Sequence, residues 1–215
     1  MKHCFLIIKN EWNNFKGNDP GLFAVYGIII AIYSILFASN MISNNNQQNI
    51  VWWIFFSVVA TGSFSGSVLI VERLKGSFEI LLTCGISRNT ILLGKVLYMV
   101  LMSIAMGLFP FVLSRLWVTF MSAYTTPVDW TGPVLYVGAS FTSASCASWL
   151  GICLANPRLV HFVNLLLLSV VVAVHYFFNL GLVSLFFFLC APGVLFLFLG
   201  MRAFASERVI QPVSL

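Results

Sequence analysis

Charge is what this sequence has least of. Only 8% of its 215 residues are Asp, Glu, Lys or Arg, against about 25% in a soluble globular domain. A soluble fold of this length would leave too much apolar surface in water. With 60% hydrophobic residues, the chain reads instead as an all-α polytopic membrane bundle, one transmembrane domain over residues 1–215. Acidic residues are especially scarce. Glu11, Asp19, Glu72, Glu79, Asp129 and Glu207 are all six of them, and each falls in a predicted loop or at a span end. That excludes the paired intramembrane carboxylates of a protease, and no nucleophile has a positioned base. No span carries an ionisable residue at its centre, which argues against proton or sodium coupling within the chain. Cys4, Cys84, Cys146, Cys153 and Cys190 show no CxxC spacing, so neither a zinc site nor a disulfide framework is indicated. A cleavable signal peptide is not visible either, because the first apolar run lacks a small-residue cleavage site.

A phosphate loop is also missing. "LLGK" at 92–95 has Asn89 where the pattern needs a glycine, and Val96 where it needs Ser or Thr. The chain is therefore expected to bind no nucleotide, cofactor or metal of its own and not to be an enzyme. Any uphill transport would draw its energy from a partner.

Long apolar runs are what the chain does have. Spans of about 20 apolar residues fit at 21–39, 51–71, 91–114, 133–154, 160–178 and 182–200, six in all. The third run continues past Pro110 toward Met121, with a bend expected at the proline. Pro192-Gly193 offers a second bend in the last span, whose bulky residues read as lipid-facing. Lys and Arg placement sets the orientation. With the N-terminus in the cytoplasm, Lys2, Lys9, Lys16, Arg73, Lys75, Arg88, Lys95, Arg158, Arg202 and Arg208 fall inside and only Arg115 outside. Both termini are thus expected in the cytoplasm. The net charge of +5 is read as topogenic charge facing anionic lipid rather than as a nucleic-acid surface.

Residues 1–17 are not a span. Phe5, Ile8, Trp12 and Phe15 recur at helical spacing, with Lys2, Lys9, Asn13 and Lys16 on the other side. That pattern predicts an amphipathic helix lying in the headgroup plane. Gly17 ends it, and Asp19-Pro20 caps and starts the first span.

Small residues line two spans. Gly62 and Gly66 stand four apart in the second. Ser140, Ala144, Ala147 and Gly151 recur in the fourth. Such faces let helices approach closely, either within the chain or across a subunit interface. Polar side chains in the fifth span are few: Asn164, with His161 and His175 near opposite membrane faces. These are the first candidates for a substrate pathway.

One loop, 72–90, is charged and punctuated by glycine. Ser77 can cap a short helix running to Thr83, with Glu79 in its first turn where the helix dipole favours a negative charge. Phe78, Leu81 and Leu82 give it an apolar edge. Gly76 and Gly85 flank it, and Gly85 is placed to end it in a left-handed conformation. Ser87 can cap the next helix. A connector needs only a few residues; this one presents a surface suited to docking another protein.

Glu72, Arg73, Gly76, Ser77, Glu79, Leu81, Leu82, Ser87, Arg88, Gly94 and Lys95 together resemble the segment after the second span in type-2 ABC exporter permeases. Span count, length and the N-terminal helix are similar too. Cys84-Gly85-Ile86 stands where many relatives have proline. A more distant similarity is to the haem exporter B subunit. The resemblance implies a permease subunit in the cytoplasmic (inner) membrane, paired with a second permease subunit, identical or homologous. It also implies separate ABC ATPase subunits, with ATP and Mg bound there. In that family the loop contains the coupling helix, which implies ATPase contact by Glu72, Arg73, Phe78, Glu79, Leu81, Leu82 and Arg88. The rival reading is a stand-alone membrane interaction, immunity or assembly protein with no transport cycle.

Overall fold

A computed structural model of the chain describes residues 2–16, 20–43, 46–65, 68, 85–121, 129–154 and 156–205. The described residues form seven α-helices and no strand: α1 (Lys2–Lys16), α2 (Pro20–Ile42), α3 (Asn46–Ser65), α4 (Arg88–Met121), α5 (Thr131–Cys153), α6 (Pro157–Phe178) and α7 (Leu182–Ala205). Four of them, α2, α4, α6 and α7, contain stretches long and apolar enough to cross a bilayer. The described part of α3 is a shorter apolar helix, Asn49–Ser65. The 23 residues of α5 are not among these four, because their many hydroxyls lower the hydropathy.

Several boundaries differ from the sequence expectation. The polar stretch 40–49 is mostly helical, since α2 continues to Ile42 and α3 starts at Asn46. A helix satisfies its own backbone, so its ends can carry polar residues through the headgroup zone without unravelling. Helix α4 does not stop at 114. It runs unbroken through Pro110 to Met121, 34 residues or about 51 Å at the helical rise. Helix α7 likewise runs through Pro192. The adjacent Gly193 is buried against α5, where an added β-carbon would meet Phe141 Cδ1 at 2.8 Å. Pro157 stands in the first turn of α6, which Asn156 caps by accepting from Arg158 N at 3.0 Å. The left-handed Asn179 (φ 46°) closes α6.

Helix α5 is the centre of the bundle. It packs on α3, α4, α6 and α7, and sixteen of its residues are buried. Lipid tails are as apolar as leucine, so burial of greasy side chains cannot drive this association; close packing and interhelical hydrogen bonds must. The run 138–151 supplies both. Gly138 faces Phe186, and Thr142 donates to the Leu189 carbonyl of α7. On another face, Ser140 accepts from Ser103 of α4 at 3.2 Å. Ser103 in turn shares a hydrogen bond with Thr61 of α3, also at 3.2 Å. Tyr136 completes this buried cluster. Its phenol donates to the Ser103 carbonyl at 2.5 Å. Gly107, one turn after Ser103, leaves room for the ring, which a β-carbon there would strike.

The two ends of the bundle differ. At one, a cluster gathers Ile7, Phe64, Val68, Ile91, Leu92, Ile152 and Phe204. Helix α1, the tails of α3, α5 and α7 and the head of α4 therefore meet there. At the other end Phe37 stacks on Trp53 with centroids 4.0 Å apart, and Phe56, Tyr136 and Phe111 pack around them. Helix α7 is lipid-exposed on one side only. Phe187, Val194 and Leu195 are exposed, while Leu185, Leu189 and Phe204 are buried.

The cluster gives Gly107 a sign opposite to the usual one. Ala normally exceeds Gly in a helix by about 1 kcal/mol. Here Gly107→Ala is expected to lower the melting temperature in detergent, and by more than Tyr136→Phe, which removes the two hydrogen bonds of the phenol to Ser103, each worth about 0.6–2 kcal/mol. A stabilised Gly107→Ala protein would refute the placement of the Tyr136 ring.

Candidate functional site

Lys95 has no accessible surface. It lies in the second turn of α4. Its ammonium donates to Glu11 Oε1 of α1 at 2.7 Å and to the Val68 carbonyl at 3.1 Å. Glu11 is itself only 5% exposed. An ion moved out of water costs several kcal/mol even after relaxation, so this lysine is tolerable only because its partners are in place. One cation thus joins α1, the chain just beyond α3 and the start of α4.

The residue before it supplies the fit. A β-carbon at Gly94 would lie 3.2 Å from three carbons of Ile7, so glycine lets α1 lie close against α4. Cys4 Sγ donates weakly to the Thr90 carbonyl at 3.7 Å. Phe15 packs edge-on to Phe64 of α3 and near Tyr26 of α2. The inward side of α1 is therefore Ile7, Ile8, Glu11 and Phe15. Ile8 and Phe15, two of the four apolar positions of the expected face, thus turn toward the bundle. Phe5 and Trp12, the other two, are exposed outside it. Phe5, Trp12 and Lys9 share its outer edge.

The charged loop leaves and returns through this region. Glu72, Arg73, Gly76, Ser77, Phe78, Glu79, Leu81 and Leu82 lie outside the described residues, as does Gly66. Its return is described. Gly85 has φ +74°, the left-handed region where a side chain is strained. Ser87 then caps α4, its Oγ accepting from Thr90 N at 3.3 Å and lying 2.6 Å from Thr90 Oγ1. Arg88 opens the helix, half-buried.

The remaining candidates lie on α3, α5 and α6. Ser140, Ala144, Ala147 and Gly151 are buried within α5. Gly62 and His161 touch each other. A β-carbon on Gly62 would sit 2.9 Å from His161 Nδ1, so the glycine makes room for the imidazole at the α3–α6 crossing. Both line an open cleft of about 480 Å³ with Val58, Val59, Ser63, Phe162 and Leu165. Asn164, one turn on, is buried with its Oδ1 unpaired. His175 is 14 residues from His161 on the same helix and lies against Tyr176, away from the cleft.

Residues 2–169 match the family model for the ABC-2 type transporter. That is most of the chain, from α1 into α6. The chain belongs to the ABC-2 type transporter family. It is a membrane permease component, not itself an ATPase, and members of the family generally work with an ABC ATPase in a membrane. The match does not single out the haem exporter subunit among such permeases. No curated protein and no solved structure matches the chain.

Within this ABC-2 permease, sequence reasoning passed over four residues that the fold brings to prominence. Glu11 and Lys95 are 84 positions apart, and nothing local marks them as a pair. One signal was available: Gly94-Lys95 sits in the stretch that resembles the family yet is no phosphate loop, so it needed another purpose. Ser103 and Tyr136 carry no motif at all. The pair gives a sharp stability contrast. Glu11→Ala removes the carboxylate from a buried ammonium and is expected to cost about 3–5 kcal/mol. Asn10→Ala, on the exposed side of the same helix, should stay within about 0.5 kcal/mol. Equal melting temperatures for the two variants in detergent would refute the buried pair.

Proposed function

We propose that this chain is the permease subunit of an ATP-driven exporter, a single domain with six spans at the helices α2 to α7. Both termini would lie in the cytoplasm and the protein in the cytoplasmic membrane. Two such subunits, identical or homologous, would form the substrate pathway and recruit two ATPase subunits that carry ATP and Mg. The family match over residues 2–169 carries this reading. Three further observations support it. Helices α3 and α5, below the span threshold as described, are the two whose small and hydroxyl residues fill the bundle interior. The ends of α1, α3, α4, α5 and α7 converge at one end of the bundle, where the described Lys9, Arg88, Lys95, Arg158 and Arg202 also fall, with Arg115 on the far part of α4. That asymmetry is the one expected of a cytoplasmic end.

The 72–88 loop is the coupling element in this reading. Glu72, Arg73, Glu79 and Arg88 would make charge contacts to the ATPase, and Phe78, Leu81 and Leu82 would fill an apolar groove on it. ATP-driven approach of the two ATPases would displace the loop and switch the bundle between inward and outward access. Gly62, Ser140, Ala144, Ala147 and Gly151 let the moving helices stay in close contact. His161 and Asn164, beside the α3–α6 cleft, are the polar groups offered to a substrate passing along it, with His175 farther along α6.

The test is retention of the partner in mild detergent. The native chain is expected to bring down a protein with Walker motifs. Phe78→Ala combined with Glu79→Arg is expected to lose that ATPase or to uncouple its hydrolysis from transport. A double variant that keeps a fully coupled complex would contradict the assignment of the loop.

A further inference from the structure

We propose that Lys95 is a positioning residue for energy transfer: it makes α1 and both roots of the 69–84 segment move as one body. The proposal rests on the permease reading above and adds a mechanism to it. Residues 68 and 85 bracket that segment. A push on a loop is handed to the helices that follow its roots, and two roots that slide independently would dissipate the displacement locally. Here the first root is held by the hydrogen bond from Lys95 Nζ to the Val68 carbonyl at 3.1 Å. The second root is the start of α4, the helix that carries Lys95 itself two turns after Ser87. The same ammonium takes Glu11 at 2.7 Å, which adds α1 to the unit, and Ile7 on Gly94 fixes the rotation of α1.

The chemistry suits transmission better than stabilisation. A buried ion pair is often no more stable than an apolar pair of the same volume, but it fixes one geometry. An apolar contact lets helices slip along each other, whereas an ammonium with no accessible surface cannot leave its acceptors without an uncompensated charge. Displacement then passes along α4 from Lys95 to Ser103, eight residues on, and through it to Thr61 and Ser140.

A substrate-independent readout tests this. In a chain whose five cysteines are replaced by alanine, Ser63→Cys places a thiol in the α3–α6 cleft. Its rate of labelling by a maleimide is measured in the purified complex with its ATPase, before and after trapping with ATP and vanadate. With Glu11 and Lys95 intact, trapping is expected to change the rate at least fivefold. With Glu11→Leu/Lys95→Met, an apolar pair chosen to keep the packing, the change is expected to vanish while vanadate still traps nucleotide on the ATPase. A response that persists in this variant overturns the proposal. Should that variant not assemble, Glu11→Lys/Lys95→Glu decides: it keeps an α1–α4 ion pair, but a carboxylate cannot donate to the Val68 carbonyl, so a reduced response is expected and an undiminished one overturns the proposal. If the native chain brings down no ATPase, the permease–ATPase reading itself fails, and the proposal falls with it.

Discussion

A lysine ammonium without solvent is the constraint on which one end of this bundle depends. Water cannot reach Lys95, so the protein must supply its acceptors. Meeting that demand dictates several things at once. Helix α1 must lie against α4. Glycine must stand at 94 for it to come close enough. The chain leaving α3 must remain near α4, so that the Val68 carbonyl is within reach. A sequence with only 8% charged residues has placed two of them where each is costly alone. That pattern fits a joint whose geometry matters more than its contribution to stability.

The membrane half obeys a different rule. Its packing comes from what α5 lacks, namely bulk. Glycine, alanine and serine let α3, α4, α6 and α7 approach one helix from several sides. Buried hydroxyls then tie the layers together through Ser103, Tyr136, Thr61 and Ser140. Each such bond is modest in a membrane, because the separated helices also find partners. In the proposed cycle an interior held by small contacts is the part free to rearrange, and the end that holds Lys95 is the part that stays together.

Much of this was legible in the sequence. Apolar runs located α2 to α7, and the small-residue stripe of α5 marked an interior helix. The limits have physical causes. Polar residues such as Asn46 were read as loop because hydropathy does not see that a helix satisfies its own backbone. The docking of α1 on the bundle was not legible because Glu11 counts only as polar on a helical wheel, whereas its neighbour is a cation 84 residues away. Lys95 had no visible structural role for the same reason: only the fold gives it Glu11 and Val68. His161 and Gly62 were both picked out, but for unrelated roles; their contact comes from the crossing of α3 and α6.

Spin labels at the exposed Asn13 of α1 and Asn89 of α4 measure the joint most directly. Their separation is compared by electron paramagnetic resonance in the nucleotide-free and vanadate-trapped complexes. If Lys95 makes this end one body, the distance distribution is expected to coincide in the two states even as the cleft beside His161 changes. A shift of several ångströms, about the size of a one-turn helix slip, would contradict the account, because α1 and α4 would then be moving apart when force is applied.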